Sequence, residues 1–284
     1  MGLDVTIVGA GLAGAIAARV MREKHNVTII ERFSGGHEVG AAINLGPTAV
    51  KIIDNLGFDR KRAGSVVANS VRSLDKAGKL LQTNDMTKFA CISQADWLFQ
   101  HRADLWSEFV RLATAPSATL GISGQPAKVL WGSEVVSVDV ESGDVVLADG
   151  GKIGSDLIIG ADGIRSVVRP LVVGQADFAS ARSSGSSAFR FTLTAEQVRA
   201  VHGDIDLLDS STPAKLDIYL ALDQTNRSIV MYPARSFEVV NFVCIVSDNI
   251  IGRETEESWS AEGSRADLLR CFDDFCPYVK DLLR

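Results

Sequence analysis

Three glycines and one acid, at fixed spacing, carry the first chemical signal in this chain. Val5-Thr6-Ile7-Val8 runs into Gly9-Ala10-Gly11-Leu12-Ala13-Gly14, and Val27-Thr28-Ile29-Ile30 runs into Glu31. An apolar strand, a G-x-G-x-x-G turn, a helix start and a second strand ending in a carboxylate is the order a dinucleotide-binding unit requires. Gly9 permits the tight turn, Gly11 lets the backbone approach a pyrophosphate, and Gly14 allows close helix–strand packing. Amides at the helix start, with the helix dipole behind them, favour phosphate. Glu31 lies 20 residues past Gly11, where a carboxylate accepts hydrogen bonds from ribose hydroxyls and repels an added 2′-phosphate. These residues fit FAD or NAD better than NADP.

The elements that must position them can be read along the chain. Leu12, Ile16, Val20 and Met21 predict a helix packed on a sheet, and Pro47 opens a second helix carrying Val50, Ile53 and Leu56 before Gly57. A small-residue loop, Gly35-Gly36 and Gly40-Ala41-Ala42, lies between them. Val66 to Leu81 predicts a hairpin around Gly78, and Trp97 to Ala115 a long amphipathic helix with His101 and Arg102 near its start. Val135–Val140, Asp144–Ala148 and Asp156–Gly160 predict three strands. The last is continuously apolar at its centre, as expected for a strand covered on both faces beside the first two in a parallel sheet. After a Ser- and Ala-rich connection, Ala176 to Ser187, the chain turns β-rich through Val246, predicting a mostly antiparallel sheet. A helical pattern returns from Ser264 to Phe275.

Bulk properties narrow the function classes. With 29 Lys and Arg against 35 Asp and Glu, the net charge of −6 argues against nucleic acid as a partner. No apolar run reaches the roughly 20 residues a membrane helix needs. Cys91, Cys244, Cys271 and Cys276 show no C-x-x-C spacing and no paired histidines. The reading is of buried thiols in a reducing, cytoplasmic setting, with no metal site. His25, His37, His101 and His202 show no partner pattern, so a surface or half-buried role is expected for each.

The segment Gly160-Ala161-Asp162-Gly163-Ile164-Arg165-Ser166-Val167-Val168-Arg169 resembles the D-G motif of flavin-dependent aromatic hydroxylases, the single-component group that includes salicylate and p-hydroxybenzoate hydroxylases. Gly40-Ala41-Ala42-Ile43-Asn44-Leu45-Gly46-Pro47, His101-Arg102-Ala103-Asp104-Leu105, Tyr232-Pro233 and Glu257-Ser258-Trp259 are similar to further segments of that family. The salicylate hydroxylase-like branch, which includes tailoring enzymes of aromatic natural products, is the nearest in pattern. The resemblance implies an α/β fold: a Rossmann-like FAD-binding domain (1–172), a mainly antiparallel β-sheet substrate domain (173–258) and a helical return toward the FAD domain (259–284). It also implies FAD as cofactor, NADH or NADPH as co-substrate, O2, and a small phenol-like or other aromatic substrate.

By the same resemblance Glu31 meets the adenosine ribose, with Arg32 beside it among the cofactor contacts. Arg102 contacts FAD, where a guanidinium can bind phosphate oxygens. Asp162 and Gly163 meet the pyrophosphate region, the carboxylate through its motif or a water. Ala42 stands where the family often has glycine, and Thr48 where asparagine often follows the proline. Arg190 aligns with an arginine that touches substrate or flavin; Tyr219, on the next candidate strand, is read either as an ordinary amphipathic strand residue or as a group that hydrogen-bonds a phenol. Relatives carry a further G-D segment followed by a helix; Ser264 to Leu283 is similar to the run before it, and the sequence reaches Arg284 without it. The expectation is a C-terminally truncated form: a fragment, a short inactive nucleotide-binding protein of the same fold, or a chain completed by a partner. Self-association through the uncovered C-terminal edge follows from that expectation. A plain NAD-dependent dehydrogenase is disfavoured by the D-G segment and the long insertion before it.

Overall fold

A computed structural model describes residues 2–35, 41–174, 183–252 and 263–284. Gly36, His37, Gly40, Ala176–Arg182 and Glu257-Ser258-Trp259 lie outside the described residues. The chain divides into two compact units: Met1–Glu38, Asn55–Asp59 and Leu105–Arg182 in one, Val39–Asp54, Arg60–Asp104 and Ser183–Arg284 in the other.

In the first unit four parallel strands run in the order Leu157–Gly160, Asp4–Val8, Asn26–Glu31, Lys128–Trp131. The two inner strands alternate buried Val5, Ile7, Val27 and Ile29 against Ala10, Ala18, Ala113 and Ala127. Small residues at those helix positions let the helix Leu12–Met21 approach the sheet. Its last turn is tied down by Arg22, fully buried, which donates to the carbonyls of Gln125, Leu112 and Ala115 and to Ser117 Oγ. Burial pulls this guanidinium below its ordinary pKa. On the other face Val8 and Ile30 meet Val135, Val145 and Val168, the first two of these from a three-stranded antiparallel sheet of Val135–Asp139, Asp144–Leu147 and Lys152–Gly154. The expected strand before Gly160 is present, but it stands at the edge of the sheet among the described residues. Leu157 is therefore 38% exposed rather than covered on both faces.

The second unit is built on an eight-stranded sheet in the order Ser186–Thr194, Val239–Ser247, Ser228–Ala234, Ala214–Leu220, Val66–Asp75, Leu98–His101, Ala42–Leu45, with Leu80–Asp85 paired to Val66–Asp75. Its pairings are antiparallel except between Ala214–Leu220 and Val66–Asp75. That parallel pair explains why residues 60–104 pack with the later strands. The contiguous 1–172 and 173–258 division expected from sequence is replaced by two interleaved units.

One face of this sheet is closed by three helices: Ala195–His202, started by a reciprocal Thr194–Gln197 capping box, Arg265–Cys271, whose Ser264 hydroxyl accepts from Asp267 N, and Pro277–Leu283. Leu268, Phe272, Phe275, Val279, Leu282 and Leu283 are all buried against it. The C-terminal helices therefore complete the core of the sheet unit. A second correction concerns Trp97–Ala115. Leu98–His101 is a strand, and the helix spans Arg102–Thr114, because Leu98, Phe99, Gln100 and His101 are all buried between neighbouring strands. Among the described residues no helix is long and apolar enough to cross a membrane.

Candidate functional site

The carboxyl ends of parallel strands are where an α/β sheet presents ligand sites, and a cavity of about 320 Å³ opens there in the first unit. Gly9, Gly11, Glu31, Arg32, Asp162 and Gly163 all line it. Gly9 has φ +102, and a Cβ there would sit 2.5 Å from the carbonyl oxygen of Ala161. Gly14 is not on the wall; a Cβ at Gly14 would lie 1.9 Å from the carbonyl oxygen of Gly9, so it is the packing glycine. At Gly11 a Cβ would meet nothing within 4 Å, which leaves its backbone bare toward the cavity. This is the cradle a diphosphate needs.

Glu31 is held in place by backbone amides. Its Oε2 accepts from Ala10 N at 2.8 Å and its Oε1 from Phe33 N at 3.0 Å. Each oxygen keeps lone-pair capacity for a further donor, such as a ribose hydroxyl. Arg32 stacks its guanidinium over the Phe33 ring at 4.8 Å. Asp162 lines the cavity and also organises its own loop. Its carboxylate accepts from Ser166 Oγ at 2.6 Å and from the amides of Val167 and Val168 at 2.7 and 3.2 Å. Arg169 closes the same turn by donating to the carbonyls of Ile164 and Gly163. The D-G motif is thus a self-capped loop after a strand, held by three donors to the aspartate.

Two residues of the cavity were not singled out in the sequence. Trp106 lines it and donates its indole N–H to the Ala10 carbonyl at 2.7 Å, and Trp131 lines it from the end of the fourth parallel strand. Lys128–Trp131 is only four residues long; its alternation is too brief to mark a strand, and its partner lies about a hundred residues earlier.

The remaining candidates belong to the second unit. Ala42 donates its amide to Asn241 Oδ1 at 2.9 Å, so a cofactor contact through that amide would compete with this bond. Arg102 begins the helix Arg102–Thr114, its amide on the Ala41 carbonyl. Around it, His101 and Asp104 receive Arg235: the guanidinium meets Asp104 through two bonds of 2.7 and 2.8 Å and His101 Nδ1 at 3.0 Å. Two separately matched segments, His101-Arg102-Ala103-Asp104 and the run after Tyr232-Pro233, are one hydrogen-bonded assembly. His101 is consequently buried and partnered, contrary to its expected surface or half-buried role. Burial first, and the Arg235 charge second, hold its pKa below the ordinary value, against the opposing pull of Asp104.

Register separates the two proposed catalytic residues. Arg190 is paired with Val243, which is paired with Val230, which is paired with Ile218. Tyr219 is paired with Ile229, Cys244 and Phe189 in turn, so it lies on the opposite face. That face is the helix-covered one, where Tyr219 is 4% exposed and burial raises its hydroxyl pKa. Tyr219 is a core residue, so the strand-residue reading holds and the substrate role falls away. Arg190 is exposed on the other face, and its charge partly offsets the burial that raises the Tyr232 pKa.

Several solved structures share this architecture. CtdE in complex with FAD and substrate 4 gives a TM-score of 0.78 at 22% identity, over 99% of this chain and 65% of that one. HpxO from Klebsiella pneumoniae, complexed with FAD and uric acid, gives 0.74 at 18% identity, over 99% and 64%. The class so defined is the p-hydroxybenzoate hydroxylase-like α/β fold. The family described as FAD binding domain matches residues 2–273, and this chain belongs to it. Hispidin-3-hydroxylase from Neonothopanus nambi is 29% identical over 291 residues, 99% of this chain and 67% of that protein. Salicylate hydroxylase from Pseudomonas putida is 28% identical over 301 residues, 100% of this chain and 64% of that protein. The chain spans about two thirds or less of the length of the curated relatives it matches.

Proposed function

We propose that this chain is an FAD-dependent monooxygenase that hydroxylates a phenol-like or other aromatic ring, with NADH or NADPH as reductant and O2 as oxygen source. The observation that carries the reading is the cavity of the parallel sheet, where Gly9, Gly11, Glu31 and the Asp162-Gly163 turn converge in a member of the FAD binding domain family. Relatives named for hydroxylation of hispidin and salicylate support an aromatic substrate.

The chemistry that FAD supplies when bound is hydride acceptance from NAD(P)H and transfer of one oxygen atom of O2 to an electron-rich ring. The chain's own residues bind and orient. Glu31 holds the adenosine ribose, with Arg32 at its side, and the bare backbone at Gly11 faces the diphosphate. Asp162 acts through the loop it caps, with Ser166, Val167 and Val168 as its donors, and meets the diphosphate region through that loop or a water. The family resemblance supports Arg102 and Ala42 as further cofactor contacts and Arg190 as a substrate contact. The edge strand with exposed Leu157 supports self-association along that edge.

The visible spectrum of the purified protein, with FAD titration and NAD(P)H oxidation in the presence of phenolic compounds, tests the reading. Flavin bands and ring-stimulated oxidation are expected. A colourless protein that takes up no FAD refutes it. Arg190→Lys should lower turnover and leave flavin content intact; unchanged turnover removes Arg190 from the substrate side.

A further inference from the structure

The turn between the strands Ser228–Ala234 and Val239–Ser247 is held against its own backbone preference. Arg235, Ser236 and Phe237 have φ of +49, +52 and +68, three successive side chains in the left-handed region that glycine and asparagine ordinarily fill. Left-handed backbone at such residues persists only where surrounding contacts over-determine it, and it gathers at functional sites. Those contacts are present. Ser236 N donates to the Gly64 carbonyl at 2.9 Å. Gly64, itself at φ +59, lies so close that a Cβ there would be 3.1 Å from Arg235 Cα. Phe237 packs against the cluster that includes Val66, Phe99 and Tyr232.

What this turn grips is a junction without a loop. The strand Leu98–His101 passes directly into the helix Arg102–Thr114, so the backbone of its immediate neighbours sets the direction in which Arg102 leaves the chain. Arg235 binds on both sides of that residue. Its Nε and Nη2 donate to the two Asp104 oxygens, in the first helical turn, at 2.7 and 2.8 Å, and Nη2 meets His101 Nδ1, at the strand end, at 3.0 Å. A planar guanidinium with two parallel bonds sets orientation as well as distance. The Arg102 amide also donates to the Ala41 carbonyl. Asn241, on the second strand of the same hairpin, accepts from the adjacent Ala42 amide. One hairpin thus fixes both the Ala41-Ala42 segment and the residues flanking Arg102.

We propose that Arg235 is a positioning residue for flavin binding: by clamping His101 and Asp104 it presents Arg102 in one orientation, without touching the cofactor itself. The inference rests on the reading of Arg102 as a cofactor contact and adds the residue that holds it in place.

The test is FAD titration of the full chain, followed by flavin fluorescence, with urea unfolding of each variant alongside. Arg102→Ala should weaken FAD about 10-fold or more, the scale of a lost bond to a charged group. Arg235→Gln removes the fork, and Asp104→Ala removes its acceptors in a residue that suits a helix; each should weaken FAD about 3-fold or more. In the Arg102→Ala background neither should add a loss beyond about twofold, because the side chain they position is gone. A purely structural residue would not show that dependence. Asp104→Ala carries the comparison if Arg235→Gln does not fold. Wild-type FAD affinity in these folded variants, or losses that add in full to that of Arg102→Ala, overturns the clamp while the flavin reading stands. If Arg102→Ala binds FAD as the wild type does, the Arg102 contact falls and the clamp with it. If the wild type binds no FAD, the flavin reading falls as well.

Discussion

Replacing Gly14 with alanine would place a methyl group 1.9 Å from the carbonyl oxygen of Gly9, 3.0 Å from its carbonyl carbon and 3.4 Å from the Ala161 Cβ. The Gly9 carbonyl is backbone and the Ala161 Cβ is rigidly attached to its own backbone, so no flexible side chain can yield. To reach a tolerable contact the helix Leu12–Met21 must recede by about 1 Å, at the expense of close-packed contacts such as Ala18 on Val5 and Ile7. Forced repacking of this kind costs about 1–3 kcal/mol. Opposing it, alanine is preferred to glycine inside a helix by about 1 kcal/mol. The difference is a net loss of about 0–2 kcal/mol, and the 1.9 Å approach to a backbone carbonyl places it toward the upper end. Urea unfolding of Gly14→Ala should show a lower midpoint with an unchanged slope, and FAD affinity should drop because Gly9 and Gly11 move with the helix. A variant as stable as the wild type, or more so, would mean that propensity governs this position and that the close approach is not tight.

Other outcomes follow from the same geometry. Asp162→Ala removes three accepted hydrogen bonds and should cost about 1–3 kcal/mol, with partial recovery in Asp162→Asn; equal denaturation midpoints for wild type and alanine variant would contradict the cap. Arg22→Met leaves the buried Leu112 carbonyl and the part-buried bonds to the Ala115 and Gln125 carbonyls without this donor, so a loss of about 1–3 kcal/mol is expected, with little rescue by lysine. His101 has a folded pKa below its ordinary 6.5, so as pH falls through 6.5 the unfolded chain gains a proton that the folded chain refuses. Stability should therefore decline below about pH 6.5 until the lowered folded value is reached. His101→Gln, which can still accept from Arg235, should flatten that decline; parallel pH profiles for the two proteins would exclude His101 as its source.

Local chemistry was legible in the residues. Gly9 and Gly14 show the tight turn and the close packing that their spacing assigns, because both are set by neighbours in or beside one strand–turn–helix unit. The hairpin around Gly78, the helix at Pro47 and the late β-rich run are likewise local, and they form near where the pattern places them.

What the tertiary structure decided is pairing across long separations. Period-two alternation shows which residues share a face, but not which face the helices will cover; Tyr219 and Arg190 part company only through the register of four strands. Arg235 finds His101 and Asp104 across more than 130 residues, and no spacing in the chain encodes that meeting. The C-terminal helices carry an apolar stripe that would suit either unit, and the free face of the large sheet claims it. Trp131 reaches the cavity because a four-residue strand extends the parallel sheet beside Glu31. Hydrophobic pattern and turn chemistry specify elements one at a time, whereas a site assembled from strand ends depends on which edges meet, and that is settled by the burial of the whole sheet.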